Sequence, residues 1–440
     1  MIMHRMMTTT LMAILVAAIS PGADAKVIGT NVPATSPTRE RIARLPAAEQ
    51  RVWRAYRNRS DAQMAIDRRT LAAELRRGET PPPPPMAVGG GQKKARLDAD
   101  AGWYATAEAR RIGDTVVSFQ TPAGGWSKNQ DRGGAPRLRG QRYANDAETM
   151  EVGTGNFDAP ADRFWTFVGT IDNGATTTEI RFLARLAAAL PGSDGDRYRA
   201  SAVKGVRYLL NAQYPNGGWP QVWPLEGGFH DGITFNDNAV AQVAMLLEEV
   251  GEADGYRFVP AGLRARARSA ATRVTAMILR AQVRVDGRLT GWPQQVDALT
   301  LAPISARNYE PRSIASGETT DILMFLMREP KPSPAVRAAI DAGVAWLKAT
   351  ALHDVAFTRV GSEGRKLIPR PGAGPLWSRN YDLVTGRPIF GDKDKSIHDD
   401  VNDLSPGRRN GYSWWVAMPA RVIAAYPAWQ SRTGAAVRGG

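Results

Sequence analysis

The chain has 440 residues, no cysteine and a formal net charge of +14 at neutral pH. This length accommodates one large domain or two to three ordinary ones, and the hydrophobic fraction of 43% suffices for a sizeable core. The absence of cysteine excludes disulfides, thiolate metal sites and a cysteine nucleophile. The positive charge indicates an anionic partner or a basic surface, and nucleic acid, anionic lipid and acidic polysaccharide all fit it.

Residues 1–25 have the features of a secretory signal peptide. Arg5 precedes an apolar run from Leu11 to Ile19, and small residues follow up to a cleavage site after Ala25. The run is too short to span a bilayer, and no other stretch is long enough. We therefore expect a secreted or periplasmic protein that does not bind membranes. Export makes nucleic acid a poorer partner and favours an acidic polysaccharide.

Residues 26–80 are predicted to form an N-terminal helical extension. Low complexity over residues 26–37 indicates a linker, and periodicity over residues 38–78 predicts two or three short helices. Five consecutive prolines and a run of glycines follow, and we interpret residues 81–97 as a hinge. The pattern leaves open whether the extension contacts the domain that comes after it.

Helical periodicity dominates from residue 98 onward. It predicts helices over residues 98–119, 176–190, 196–213, 237–250, 261–281, 318–328, 334–350 and 408–425. Helices of this length joined by long loops indicate an all-α domain over residues 98–430, with function concentrated in the loops. We expect residues 431–440 to form a C-terminal tail.

A short motif recurs at the ends of the predicted helices. The segment Gln120–Trp126, QTPAGGW, is echoed by Gln213–Trp219, QYPNGGW, and a looser copy ends at Trp292. Repetition of one helix-plus-loop unit predicts a closed or stacked array. We expect an incomplete ring of helix pairs, an α/α toroid, whose long loops form a substrate groove. The motif needs no ligand, since an indole packed at a helix end explains it equally well.

Two polar clusters stand directly before predicted helices. One contains Asp172, within TIDNGATT, and the other contains Asn236 and Asp237, within ITFNDNA. Acid and amide side chains at two such places suit a hard cation such as calcium, bound between separate loops because the EF-hand spacing is absent. Capping of the following helix by Asp172 or Asn173 explains the first cluster equally well.

Basic residues flanked by aromatic residues occupy three further loops. Lys128 follows Gly-Gly-Trp, Arg379 follows Trp377, and Lys393 lies in the segment FGDKD. Each suits the carboxylate of a sugar acid, arginine through its planar fork and lysine as a point charge. Surface ion pairs are the commoner use of such groups.

The longest irregular stretch, residues 291–318, carries Arg307, Tyr309 and Arg312. A long polar loop of this kind inside a compact domain is typical of a functional loop. The C5 proton of a uronate is hard to remove because the resulting anion lies beside a carboxylate, which calcium and cationic side chains would neutralise. An arginine acts as the base only from its neutral form, which requires a desolvated, cation-rich site. The residues alone therefore do not assign this role to Arg307.

Seven segments in one order, GGWSKN, TIDNGATT, NGGWPQ, ITFNDNA, WPQQVD, ARNYEPRS and FGDKD, resemble polysaccharide lyase family 10, the pectate lyases of bacterial origin. The resemblance covers residues 98–428, and Trp53, Tyr56 and Ser60 resemble the family's N-terminal extension. It implies an α/α toroid that cleaves polygalacturonate by calcium-dependent anti β-elimination and releases 4,5-unsaturated oligogalacturonates.

Residue by residue, the resemblance implies that Arg307 abstracts the proton and that Asp172 and Asp237 bind calcium. It places substrate contacts at five side chains: Lys128, Asn236, Tyr309, Arg379 and Lys393. Lys393 departs from the family's usual arginine, so the charge is kept while the bidentate geometry is lost. We expect a monomer that acts on polygalacturonate. The alternatives are a lyase for another uronate polymer and a non-catalytic binder of acidic polysaccharide.

Overall fold

A computed structural model of the protein describes residues 26–88, 94–145, 156–157, 162 and 165–434. The predicted signal peptide, the glycines at 89–91 and residues 435–440 of the predicted tail lie outside this range. Within it, none of the helices combines the length and apolarity needed to cross a membrane.

Most of the regular structure is α-helical, which confirms the predicted fold class. In chain order the helices are α1 Arg39–Ile42, α2 Ala47–Ala73, α3 Ala107–Ser118, α4 Thr177–Ala189, α5 Asp196–Ala212, α6 Ala239–Glu252, α7 Ala261–Ala281, α8 Ser316–Leu326, α9 Pro334–Ala349, α10 Pro406–Asn410 and α11 Pro419–Gly434. Buried apolar side chains of α3 to α9 and α11 form one continuous core.

Three predicted helix boundaries are wrong, each because of a local stop or start signal. The helix predicted from residue 98 begins at α3, where the Thr106 hydroxyl accepts the Ala109 N–H and caps the helix. The helix predicted over 408–425 is two helices, because α10 ends at Asn410, before the C-cap residue Gly411, and α11 begins at Pro419. The same predicted helix is too short at its end, since α11 continues to Gly434.

The helices form two layers, as expected for an α/α toroid. Helices α4, α6 and α8 are neighbours in an inner layer, and α5, α7 and α9 are neighbours in an outer layer. Each inner helix packs against the outer helix that follows it in the chain. Because the connections alternate in this way, the inner helices all begin at one end of the toroid. That end carries the polar clusters recognised in the sequence.

Strands are short and join the loops to one another. They are β1 Val27–Thr30, β2 Ile233–Thr234, β3 Arg284–Val285, β4 Arg288–Leu289, β5 Gln295–Val296, β6 Ile314–Ala315, β7 Val355–Arg359, β8 Arg365–Pro369, β9 Trp377–Ser378, β10 Asn380–Tyr381, β11 Phe390–Gly391, β12 Ser396–His398 and β13 Trp415–Val416. The antiparallel pairs β2–β5 and β6–β10 connect loops that carry predicted site residues. A three-stranded antiparallel sheet has the order β1–β12–β11.

The Gly-Gly-Trp repeat is a structural device. A buried indole N–H donates to a carbonyl at the end of the preceding helix in four places: Trp126 to Val116 at 2.7 Å, Trp219 to Leu209 at 2.8 Å, Trp292 to Ile278 at 2.7 Å and Trp377 to Leu347 at 2.6 Å. These bonds satisfy carbonyls that a helix end leaves without intrahelical partners. The ligand-free explanation of the motif therefore holds, and Trp377 adds a copy that the sequence did not predict.

The N-terminal extension lies against the toroid. Instead of the predicted two or three short helices, it contains the four-residue α1 and the 27-residue α2. The buried Tyr56 hydroxyl donates to the Ala212 carbonyl at 2.9 Å, and the Ser60 hydroxyl accepts the Leu225 N–H at 2.8 Å. Residues 26–37 are not simply a linker, because β1 pairs with β12.

Candidate active site

The beginnings of the three inner helices lie together at the polar end of the toroid, and we call this end the groove. Asp172 lies just before α4, Asp237 lies just before α6, and Glu318 lies in the first turn of α8. Helix N-termini present unpaired N–H groups and the positive end of the helix dipole. Three of them at one place favour an anionic ligand before any side chain is counted.

The turns before α4 and α6 have the same backbone geometry. Asn173 and Asp237 both adopt φ 52° and ψ 27°, and Asn238 and Thr176 also have positive φ. Asparagine and aspartate tolerate this left-handed region, whereas a β-branched threonine there is strained. The matching turns bring the Asp172 and Asp237 carboxyls into a hydrogen bond with each other. The two sequence clusters therefore form one site.

The two carboxyl groups of this pair differ in their protonation. Burial of Asp172 disfavours its ionisation, but the Lys128 ammonium, 2.7 Å from Oδ2, holds the pKa of Asp172 below its usual value. Asp237 opens to the groove, where partial burial and the Asp172 charge raise its pKa to about 7. Two adjacent carboxylates resist double ionisation unless a cation joins them.

Asn236 connects this pair to the next cation. Its amide donates to Asp237 Oδ2 at 2.9 Å and to Asp172 Oδ1 at 3.4 Å. Its carbonyl oxygen accepts from Arg379 Nη2 at 3.0 Å, and the same nitrogen donates to Glu318 Oε1 at 3.0 Å. Arg379 also stands over a tyrosine ring, with Cζ 4.8 Å from the Tyr412 centroid. The side chain of Arg379 is thus oriented from three directions.

Arg307 lies in the same network, through Glu310 and Gln294. Nε and Nη2 of Arg307 donate to the two Glu310 oxygens at 2.9 and 2.7 Å, a bidentate fork. Glu310 is buried and also accepts from the Tyr412 hydroxyl at 2.6 Å and from Gln294 at 3.3 Å. The Gln294 amide reaches Asn236 Oδ1 at 3.4 Å, which closes the connection to the aspartate pair.

The pair with Glu310 favours the charged form of Arg307. Burial lowers the pKa of Arg307, but the Glu310 carboxylate outweighs burial and raises that pKa above its usual value. Burial opposes ionisation of Glu310 as well, yet the guanidinium holds the pKa of Glu310 well below its usual range. A role for Arg307 as a base therefore requires that bound substrate and cations offset the Glu310 charge.

The remaining predicted residues lie around Arg307. The Tyr309 ring is stacked beneath it, with the guanidinium carbon 4.9 Å from the ring centroid. Lys393 is exposed on the loop that follows β11. At the end of that strand Gly391 touches Tyr309, since a Cβ on Gly391 would lie 2.4 Å from the Tyr309 carbonyl oxygen. The fold thus brings Lys393 beside the Arg307 loop.

Four residues of the network were not predicted as site residues: Glu310, Glu318, Gln294 and Tyr412. Glu310 and Gln294 lie in the same irregular stretch as Arg307, residues 291–318. The spacing of Arg307 and Glu310, three residues apart, was the available signal for an ion pair. Tyr412 comes from a distant part of the chain, and nothing in its local sequence sets it apart.

The donor set suits a divalent cation with oxygen ligands. Asp172 and Asp237 provide two adjacent carboxylates, and Asn238 Oδ1 and Glu318 Oε2 are buried without a hydrogen-bond partner in the part of the chain that the structure describes. Calcium prefers carboxylate and amide oxygens of this kind. No group of three or more His, Cys, Asp or Glu residues with metal-binding geometry occurs among the described residues.

Comparison with known proteins places these residues in a family. The pectic acid lyase family matches residues 120–423. A family 10 polysaccharide lyase from Cellvibrio cellulosa has 32% identity and a TM-score of 0.61, over 79% of this chain and 98% of the other. A mutant of that family from the same organism, in complex with trigalacturonic acid, has 32% identity and a TM-score of 0.62, over 78% and 99% of the two chains. No curated protein matches.

The family match spans well over half of the chain and includes every predicted site residue. The structural likeness extends over nearly the whole of both solved chains. The helix layers agree with this assignment, and so does the grouping of predicted site residues at the beginnings of the inner helices. The chain therefore belongs to the family 10 polysaccharide lyases, the pectic acid lyases, and is a polysaccharide lyase.

Proposed function

We propose that the protein is a pectate lyase that cleaves de-esterified polygalacturonate by calcium-dependent anti β-elimination. The observation that carries the proposal is the continuous network from Lys128 through the aspartate pair and Asn236 to Arg379 and Arg307. A polyanion with a carboxylate on each sugar suits a groove with three cationic side chains and three helix N-termini. The relative with bound trigalacturonic acid supports this choice of substrate.

The proposed reaction starts at the C5–H bond of a galacturonate residue. Arg307 takes the C5 proton, the electron pair forms the C4–C5 double bond, and the C4–O4 bond breaks on the opposite face. A water molecule protonates the departing O4, and Arg307 later releases the C5 proton to solvent, so the products are an unsaturated sugar and a new chain end. Arg379 and Lys128 hold carboxylates of the polymer, and Lys393 and Tyr309 contact sugars near Arg307. Asn236, beside the aspartate pair, orients the carboxylates of the polymer.

Asp172 and Asp237 are the proposed calcium ligands. Calcium bound there would neutralise the uronate carboxylate and make C5 more acidic. The protein's own contribution is to keep the two carboxylates adjacent through the paired turns. Lys128 keeps Asp172 ionised, and Asp237 exchanges its proton near neutral pH. Because Asp237 loses that proton more readily at alkaline pH, we expect tighter calcium binding there.

Arg307 has a second candidate role, which the Glu310 pair favours. As a permanently charged guanidinium it would stabilise the developing carboxylate-conjugated anion instead of taking the proton. The pH dependence of turnover separates the two roles.

We propose further that the chain works as an exported monomer. This proposal rests on the signal-peptide features of residues 1–25 and on the accessibility that a polymer substrate requires.

The test of the proposed function is the ultraviolet absorbance of unsaturated products from de-esterified polygalacturonate at alkaline pH. We expect a rise in absorbance that a chelator abolishes and added calcium restores. Polymannuronate, run in parallel, tests the alternative polymer. A rise only with polymannuronate would overturn the choice of substrate, and a rise that is unaffected by the chelator would overturn the calcium requirement.

A further inference from the structure

The segment expected to be a linker lies directly against the backbone of the proposed catalytic arginine. Asn31 is 4% exposed, and its amide nitrogen donates to the Arg307 carbonyl at 3.1 Å and to the Asn308 carbonyl at 3.0 Å. The side-chain oxygen Oδ1 of Asn31 accepts the Val32 N–H at 3.0 Å. Both hydrogens of this amide are therefore used on the turn that carries Arg307, more than 270 residues away in the chain.

A sheet holds the same turn from its other side. Strand β1 ends at Thr30, pairs with β12, and so joins the sheet that contains β11. At the end of β11, Gly391 lies so close to the Tyr309 carbonyl that a methyl group there would not fit. The Asn31 backbone N–H donates to the Lys395 carbonyl at 2.7 Å, which ties it to the loop of Lys393. The Arg307 turn is thus enclosed between Asn31 and β11.

Two further contacts tie the N-terminal segment to the same stretch of chain. The Ser305 hydroxyl donates to the Val32 carbonyl. Arg41 forms an ion pair of 2.7 Å with the buried Asp297, which caps the turn leading toward Ser305. We call residues 27–32 together with Arg41 the N-terminal clamp. It contacts the loop of Arg307 at four points along residues 297–308.

The Arg307 side chain depends on this backbone support. The Arg307 side chain is 39% exposed, and Glu310 in the same turn provides the bidentate partner of its guanidinium. Because both partners belong to one turn, a shift of the turn moves the guanidinium and Glu310 together. The position of Arg307 relative to the aspartate pair therefore depends on what holds the turn backbone, in addition to the Tyr412 and Gln294 contacts of Glu310.

We propose that Asn31 is a positioning residue for the elimination reaction, acting through the backbone of Arg307. This inference rests on the proposed function, since it presumes that Arg307 acts on the substrate. The side chains proposed to hold substrate carboxylates are anchored elsewhere: Lys128 by Asp172, and Arg379 by Asn236 and Glu318. Loss of Asn31 therefore displaces the reacting group and leaves substrate binding in place.

The experiment measures kcat, KM and thermal stability of the full chain with polygalacturonate and calcium. We expect Asn31→Ala to lower kcat about tenfold or more and to change KM less than about twofold, since small misplacements of a reacting group cost rate. Asn31→Asp, which is isosteric and turns a carboxylate toward two carbonyls, should lower kcat further. Gln213→Glu is the matched control, because the Gln213 amide is equally buried and also donates to two backbone carbonyls, those of Gly217 at 3.0 Å and Ala270 at 2.9 Å, outside residues 297–308.

A double-mutant cycle with Arg307→Lys separates positioning from general damage. If Asn31 acts through Arg307, then Asn31→Ala lowers the residual turnover of Arg307→Lys by less than about twofold, because coupled residues are not additive. The hydrogen bonds of the Asn31 side chain in the described structure go to the Arg307 turn and to Val32, not to Lys128 or Arg379. An Asn31 variant that raises KM and leaves kcat unchanged would therefore contradict the proposal.

The outcomes distinguish this inference from the proposed function. Wild-type turnover in Arg307→Lys overturns the role of Arg307 and the positioning role with it. An inactive Arg307→Lys together with normal kcat in both Asn31 variants overturns the positioning role alone. Equal losses in the Asn31 variants and in Gln213→Glu, or additive losses in the cycle, show damage to folding and overturn it as well. Should Asn31→Asp fail to fold, Asn31→Ala decides the question.

Discussion

The loops that carry the Gly-Gly-Trp repeat, called the tryptophan loops, lie beside the turns that precede α4 and α6 in the groove, since Trp126 pairs with Thr170 just before Asp172. The two regions differ in which residues adopt positive φ angles. In the tryptophan loops glycines take the left-handed conformation, with φ 111° at Gly124 and 100° at Gly217. Glycine has no Cβ and adopts it without strain. In the groove, four non-glycine residues have φ between 52° and 64°: Asn173, Thr176, Asp237 and Asn238.

The two regions also treat their polar groups differently. Each tryptophan loop bonds its indole N–H to a helix end, and a glutamine in each of the first three copies bridges two carbonyls, as Gln213 does to Gly217 and Ala270. The groove instead places the Asp172 and Asp237 carboxyls in contact and leaves Glu318 Oε2 buried without a partner within the described chain. Strain and unsatisfied charge of this kind are usual at functional sites. The loops thus stabilise the fold, whereas the groove serves binding and chemistry.

The largest expected effect belongs to Arg307. We expect Arg307→Lys to lower kcat about 10²–10⁴-fold with little change in melting temperature, because lysine keeps a cation beside Glu310 but not the proton-accepting geometry. Steady-state rates and calorimetry measure both quantities. Arg312→Ala, at an exposed arginine of the same stretch, is the control and should keep its rate within about twofold. Equal rates for the two variants would remove Arg307 from the reaction.

The aspartate pair is the next test of the groove. We expect Asp237→Ala to raise the calcium concentration for half-maximal rate about 100-fold, since one of two adjacent carboxylates is lost. Saturating calcium should then restore the rate only in part. Calcium titrations of initial rate provide the measurement, with Asp254→Ala at an exposed surface pair as the control. An unchanged calcium requirement would place the cation elsewhere.

The charge of Glu310 decides between the two roles of Arg307. Glu310 raises the pKa of Arg307, so Glu310→Gln lowers that pKa and makes the neutral guanidine available at lower pH. If Arg307 is the base, the alkaline rise of kcat moves about one pH unit or more toward acid. A pH–rate profile of kcat measures the shift. If Arg307 acts only as a cation, the rise stays where it is in the wild type.

The smallest effect on turnover is expected in a tryptophan loop. Trp219→Phe removes the indole N–H that satisfies the Leu209 carbonyl and leaves a small void. We expect a loss of about 2 kcal/mol in the free energy of unfolding and a kcat within about twofold of wild type. Denaturant unfolding and the product assay report the two effects. Trp103→Phe, at a partly buried indole, should cost less stability. A large loss of kcat in Trp219→Phe would break the distinction between the two regions.

Local signals in the sequence located much of the fold and most of the candidate site. The period of apolar residues located the inner and outer helices, and polar residues before two of those helices indicated the aspartate clusters. The assignment of roles to Arg307, Lys128 and Arg379 depended on the resemblance to a family. Glu310 escaped assignment although it stands three residues from Arg307, because local sequence does not tell a surface pair from a buried one.

The sequence by itself determined where most of the helices run, and that the loops carry acids, amides and cations in a recognisable order. Those features depend on neighbours within one or two turns of chain. Only the tertiary structure decided that residues 27–30 form a strand, that Asn31 supports Arg307, and that Tyr412 contacts Glu310. The physical reason is that these contacts join residues about a hundred or more positions apart. Hydrophobic packing of the whole toroid brings them together, and no local preference of the chain encodes it.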